Sequence, residues 1–164
     1  MRKASAALGT SLFLALAPGT VVVLLPWWLT GWRAGDWWLP ARLLGLVPLT
    51  AGAVVLLSAY VRFVIEGLGT PAPVAPPEHL VVGGLYRYVR NPMYVAVVAA
   101  IAGQGVLLAR PVLLVYGGCA GSAMWAFAKW YEEPALTRRF GTDYERYRQA
   151  VPGWWPRLTP WRGG

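Results

Sequence analysis

Long apolar blocks, separated by short knots of Pro, Gly, Trp and Arg, constrain this chain more than any other feature. The first runs from about Leu8 to Leu29, the second from Arg42 to Ile65, the third from Met93 to Ala109 and the fourth from Pro111 to Tyr131. At 1.5 Å per residue, a block of about 20 residues crosses the ~30 Å hydrocarbon layer of a bilayer. A soluble domain of 164 residues has little interior in which to hide such blocks, and 57% hydrophobic with 13% charged residues leaves too little polar surface to cover them. The expected solvent is a membrane. The expected fold is an all-α membrane protein with about four transmembrane helices in one domain, 1–164, of which 1–66 hold two N-terminal spans.

The first block has some marks of a signal peptide, with Arg2 and Lys3 ahead of it and Ala15-Leu16-Ala17 within it. Pro18 would follow the cleavage point and the apolar run continues past it, so a retained span is expected. Only Arg110 and Pro111 separate the third and fourth blocks, which makes them an antiparallel hairpin whose first arm is a minimal span. With four spans, Arg2, Lys3, Arg62, Arg87, Arg90, Lys129 and the C-terminal arginines share one side, and Arg33, Arg42 and Arg110 the other. Twelve against three is a strong positive-inside bias. It predicts a multi-pass protein of the cytoplasmic membrane, with both termini and the 67–90 loop in the cytoplasm.

A net charge of +8 raises nucleic acid as a partner, but the basic residues lie between and after the apolar blocks, where lipid headgroups would meet them. Membrane lipids are the expected partners, and no nucleic acid is expected. Cys119 is the only cysteine, so no disulfide can form within the chain. His79 is the only histidine, which excludes the histidine clusters of di-iron membrane oxidases.

Chemistry is then expected where the central loop and the tail face the same aqueous compartment. The loop's prolines deny it a regular helix, while Leu80, Val81, Val82 and Leu85 give it something to bury. Asn91-Pro92 is the favoured order for an N-cap and first helical residue, with Arg87 and Arg90 just before it. A helix N-terminus with guanidinium groups suits a carboxylate or phosphate; equally, both arginines suit headgroup anchoring. Glu132 and Glu133 stand at the end of the fourth block, ahead of Pro134. They either pair with Lys129 at helical spacing or bind a polar, cationic or hydroxyl-bearing ligand. Leu136, Phe140, Tyr144, Tyr147 and Val151 then recur at helical spacing, predicting an amphipathic interfacial helix that lies on the membrane or roofs the site. Trp154, Trp155 and Trp161 read as interfacial anchors.

HLVVGGLYRYVRNPMY, followed some forty residues later by EEPALTRRFGTDYERYRQAVPGWWP, resembles the two-part signature of the isoprenylcysteine carboxyl methyltransferase and phospholipid methyltransferase superfamily, in its bacterial form. Arg90, Pro92 and Tyr94 match its Arg-x-Pro-x-Tyr element, Glu132 and Glu133 its Glu-Glu pair, and Phe140, Gly141, Tyr144 and Tyr147 the stretch that follows. The resemblance covers roughly the C-terminal 100 residues. It implies S-adenosylmethionine as cofactor, with S-adenosylhomocysteine as product, and transfer to a lipid-linked or hydrophobic acceptor. It makes the cytoplasmic loop a cofactor-binding loop, with His79, Val82, Gly84, Tyr86, Arg90, Asn91, Pro92, Tyr94, Glu132 and Glu133 around the cofactor. Arg90 would meet the cofactor carboxylate, whereas Arg87 would face headgroups.

Glu132 and Arg138 are the candidate catalytic residues. Arg138, like Arg139, would either orient an anionic substrate or contact lipid headgroups. Gly103 and Gly105 would let the cofactor approach or would pack helices. Many members of the superfamily have His where this chain has Asn91, so imidazole base catalysis is not expected here. The alternatives are an NADPH-dependent membrane reductase of related architecture and a non-catalytic membrane scaffold.

Overall fold

The computed structural model describes residue 12 and residues 16–66 and 80–163, and every regular element among them is a helix. α1 (Thr20–Thr30) opens with a π-helical turn, Thr20–Leu24, and stops at Gly31, whose φ of +57° suits glycine. A short α2 (Leu39–Leu43) leads into α3 (Leu46–Glu66). A 3-10 turn, Gly84–Arg87, precedes the hairpin of α4 (Pro92–Leu107) and α5 (Pro111–Phe127). A second π-helical stretch, Ala128–Glu132, then runs into α6 (Glu133–Ala150).

Leu39–Ala59 and the helix beginning at Pro111 are long and apolar enough to cross a membrane. α1 and α4 are apolar but shorter, the 16 residues of α4 covering roughly 24 Å. Large apolar side chains such as Val47, Val54, Leu57 and Val115 point outward and are exposed. The buried positions of α4, by contrast, include Ala96, Val97, Ala100, Gly103 and Gly105. Helices apolar on all faces, with small residues between them, are what a lipid solvent selects. α3 packs most extensively on α4, and the contact depends on missing side chains. A Cβ on Gly103 would lie 2.6 Å from the Gly45 carbonyl oxygen, and one on Gly52 2.5 Å from that of Ala96. Gly105 faces Leu113 and Leu114 of the hairpin's other arm. Both glycines of the Gly103-Gln104-Gly105 element therefore pack helices.

Each π-helical turn sits just ahead of a proline, Pro26 or Pro134, which occupies the start of the following α segment. Proline has no N–H to give, so the carbonyl four residues back needs another partner. In α1 that carbonyl belongs to Val22, and Gln104 Nε2 of α4 donates to it at 2.7 Å. The Leu25 N–H turns to Thr20 instead, which frees the Val21 carbonyl for the Tyr116 hydroxyl of α5 at 2.9 Å. Inside an apolar layer no water can make these repairs, so side chains of neighbouring helices do. The same widening corrects the expected end of the fourth block. The helix does not stop before Pro134 but continues to Ala150, because the Glu133 N–H bonds Ala128 and the chain passes the proline within a π turn.

Among the described residues, several arginines and Lys129 fall into two groups at the ends of α4. At one end of the bundle Arg110 Nε donates to the Arg33 carbonyl at 2.8 Å and Arg42 Nε to the Leu107 carbonyl at 2.9 Å. At the other, Arg90, Lys129 and Arg148 converge on Glu133. Replacing Gln104 by Leu should cost about 1–2 kcal/mol, because it strands the Val22 carbonyl. Thermal unfolding in detergent micelles should show a lowered Tm for Gln104→Leu. The exposed Ser122→Ala, which only loses a bond to its own helix, should unfold like the parent.

Candidate functional site

The site is built where the loop before α4 meets the chain after α6. Val151 leaves the helix in an extended conformation, and the tail then lies along the loop as a partner strand would. The Arg90 N–H donates to the Pro152 carbonyl at 2.9 Å and the Asn91 N–H to that of Gly153 at 3.1 Å. The Arg157 N–H bonds the Tyr88 carbonyl and the Trp161 N–H that of Arg87, both at 2.9 Å. Beneath this seam Tyr144, Tyr147 and Val151 are buried against Leu80, Val82, Tyr86, Leu136 and Phe140. The stripe expected to lie on the membrane or roof the site thus packs on the loop itself. Gly141, with φ +52° and ψ −126°, kinks α6 between Phe140 and Tyr144.

Arg90 is the hub of the seam. Its Nε donates to the Val151 carbonyl at 2.9 Å, and its Nη1 to Glu133 Oε1 at 2.9 Å and to the Tyr144 hydroxyl at 3.1 Å. A Cβ on residue 153 would lie 3.2 Å from Arg90 Nη2, so glycine there lets the tail pass close to the guanidinium. Asn91 occupies the N-cap position of α4, but its side chain makes no cap hydrogen bond, contrary to expectation. The tail's Gly153 carbonyl instead accepts the Asn91 N–H, and a Cβ on residue 153 would stand 3.5 Å from the Asn91 side-chain amide nitrogen.

The adjacent carboxylates have opposite surroundings. Glu133 meets three cations, Arg90 at 2.9 Å, Lys129 at 3.4 Å and Arg148 at 3.8 Å. Glu132 meets none among the described residues; it accepts a 2.7 Å hydrogen bond from the Tyr94 hydroxyl. Both lie just past the apolar stretch of the helix that begins at Pro111. Burial pushes the Glu133 carboxyl up, but Arg90 and Lys129 outweigh it and hold the group below the usual carboxylate range. Burial also pushes Glu132 up, and the Tyr94 bond does not offset it. Two neighbouring acids with separated affinities for a proton can take separate roles. Trp154 of the tail stacks on Tyr94, ring centroids 6.2 Å apart and planes 16° from parallel.

Of the residues expected around a cofactor, Arg90, Tyr94, Glu132 and Glu133 come together in this polar cluster. Gly84, Tyr86 and Pro92 line an open cavity of about 530 Å³ whose lining also includes Val54 and Ser58 of α3. Val82 belongs to the apolar layer under the seam, and Arg138 is exposed on α6. His79 lies outside the described residues. Arg87 does not simply face headgroups, since its Nε donates to the Trp161 carbonyl at 2.6 Å. Trp161 packs on Tyr147, so of the three expected anchors only Trp155, 81% exposed, stands free of the fold. Gly153 and Trp154 are the site's unforeseen members, while Tyr144 and Val151 come from the stripe expected to lie on the membrane or roof the site. Gly153 was the available signal, because a glycine in an extended stretch often marks a close backbone approach.

Glu133→Gln should destabilise the protein by roughly 2–4 kcal/mol, since it leaves Arg90 short of its counter-ion. Because the folded carboxyl is held low, its contribution is complete above the unfolded carboxyl's pKa of roughly 4.3 and fades as pH falls through the folded value. Acid unfolding followed by tryptophan fluorescence should therefore show a shallower loss of stability below that pH for Glu133→Gln than for the parent.

Among known proteins, no curated sequence matches this chain. The family model described as phospholipid methyltransferase matches residues 41–143. That stretch carries the α3–α4 contact, the Arg90 hub, Tyr94 and both carboxylates, and it stops one residue short of Tyr144. On a match covering more than half its length, and with the polar cluster inside the matched region, the chain belongs to the phospholipid methyltransferase family, a family of membrane methyltransferases.

Proposed function

We propose that this protein is an S-adenosylmethionine-dependent methyltransferase, held in the cytoplasmic membrane by α1, α3, α4 and α5, that methylates a lipid-associated or hydrophobic acceptor at the cytoplasmic surface. The observation that carries the reading is Glu132, a partly buried carboxylate that meets no cation among the described residues, at the end of an apolar hairpin. An unpaired anion in that position suits a positively charged ligand. The donor set fits the cofactor: Glu132 for positive charge, the cavity beside Gly84 and Tyr86 for a flat apolar group. When bound, the cofactor supplies a methyl group on a positively charged sulfur.

The chain's own part is positioning, exclusion of water and charge. Arg90 and Glu133 tie α4, α6 and the tail into one frame, and Tyr94 holds Glu132 within it. Glu132 offers its second oxygen as counter-charge, and its raised proton affinity lets that oxygen accept a proton from an acceptor that must lose one. Arg138, exposed on the same helix as Glu133, is free to orient an anionic acceptor. Asn91 holds no titratable group and takes no part in proton transfer.

The four-span topology is supported by the arginine separation and by aromatic pairs at the level of the Glu pair. Trp125 and Trp130 meet edge to face and Phe127 stacks on Tyr131, all exposed, as an interfacial belt requires. Reporters fused at the N-terminus, within the Thr70 to Glu78 loop and after Trp161 should all report cytoplasm. A periplasmic loop would place it across the membrane from the tail and end this reading.

The cofactor assignment is tested by thermal stabilisation of purified protein. S-adenosylhomocysteine should raise the Tm and NADPH should not; the reverse would indicate a reductase, and no response to either a scaffold. Glu132→Gln should weaken S-adenosylmethionine binding while leaving the Tm of the unliganded protein unchanged or higher. Transfer of label from S-adenosylmethionine to a total lipid extract, and to a panel of small hydrophobic acceptors, identifies the acceptor class.

A further inference from the structure

The family match ends at residue 143, yet the tail beyond it reaches into the polar cluster. Four backbone hydrogen bonds pin residues 152–161 to residues 87–91, so the position of Trp154 is set by the fold and not by membrane contact alone. Its ring lies nearly parallel to Tyr94, whose hydroxyl is bonded to Glu132, the carboxylate of the pair that meets no cation among the described residues. Trp154 is only partly buried and keeps surface available to a ligand.

We infer that Trp154 and Tyr94 form the aromatic wall of a binding site for an alkylated onium cation, with Glu132 as its counter-charge, so that the tail outside the family match completes the site. An onium group carries its positive charge on a shell of weakly hydrated alkyl groups. It gains little from hydrogen-bond acceptors and much from aromatic faces and a nearby carboxylate. Glu132 has one oxygen engaged by Tyr94 and no competing cation among the described residues, while Arg90, Lys129 and Arg148 are all held at Glu133. These three cations are therefore engaged at Glu133 and not at Glu132. The inference rests on the proposed methyltransferase function and deepens it. The same chemistry is presented by the sulfonium of the cofactor and by the ammonium of an amine-bearing acceptor.

Calorimetric titration separates these sources. S-adenosylmethionine carries the sulfonium, whereas S-adenosylhomocysteine is its neutral thioether. If the cofactor is the occupant, Trp154→Ala should weaken S-adenosylmethionine roughly three- to thirtyfold more than S-adenosylhomocysteine, and Trp154→Phe should keep most of the preference. If the acceptor is the occupant, both cofactor forms bind Trp154→Ala as they bind the parent, and KM rises for an amine-bearing acceptor without a matching fall in kcat. Trp155→Ala, at the exposed neighbour, should change neither quantity.

Tetramethylammonium chloride is a probe that needs no cofactor. Millimolar concentrations should raise the Tm of the parent above the effect of equal sodium chloride, and Trp154→Phe should retain more of that rise than Trp154→Ala. If the parent binds neither cofactor form, the methyltransferase reading fails while the tetramethylammonium titration still decides the onium site. Equal weakening of both cofactor forms in Trp154→Ala, with unchanged acceptor KM and no tetramethylammonium effect, would reduce Trp154 to a clamp on the tail and overturn the inference.

Discussion

One guanidinium group joins the parts of this protein that sequence keeps far apart. Arg90 stands at the entrance to α4, and through Glu133, Tyr144 and Val151 it reaches the start, the middle and the exit of α6. Each of these bonds is made at a partly buried point, where an ion pair is worth keeping only if its remaining donors are also engaged. Arg90 meets that condition with internal partners on both Nε and Nη1. Its bonds fix the distance between the hairpin and the tail, and the neighbouring backbone bonds of the seam follow from it. Lysine, a point charge on a flexible stem, cannot span three acceptors in this way.

The consequence is a division of labour between two carboxylates that are neighbours in the chain. Glu133 is committed to holding the frame together and draws in the surrounding cations. Glu132 points to Tyr94 and carries negative charge that no cation among the described residues balances. A frame without this asymmetry would neutralise both acids and leave nothing to attract a charged ligand. The tail contributes the other half of the arrangement, because its glycine passes beside Arg90 and delivers a tryptophan to Tyr94.

In the apolar part of the fold the governing constraint is that no backbone group can rely on water. Two prolines violate the helical ladder, and each is preceded by a π turn. At the first, Gln104 and Tyr116 supply the missing donors, which also ties α1 to the hairpin. At the second, the wider turn carries the chain through Pro134 and sets Glu132 and Glu133 at its junction with α6. Small residues complete the bundle, as Gly45, Gly52 and Gly103 bring α3 and α4 into backbone contact.

Much of this was legible in the residues alone. Apolar blocks of spanning length, arginines sorted by side, the hairpin turn at Arg110-Pro111 and the paired motifs around Arg90 and Glu132 are local or periodic properties. They follow from what a bilayer accepts and from the spacing of a helix. The helical fold, the meeting of loop and tail, and the family were therefore within reach. The sequence could not say which partner each polar group would choose. Lys129 lies a helical turn from Glu133, but Arg90, Tyr144 and the Val151 carbonyl come from separate elements, and nothing in their spacing couples them. The same holds for Trp154, whose residue type reads as a membrane anchor and whose ring the fold sets against Tyr94. Hydrogen bonds and ring contacts act over a few ångströms, so only the tertiary structure, which brings distant segments within that range, decided how the charges of this site are spent.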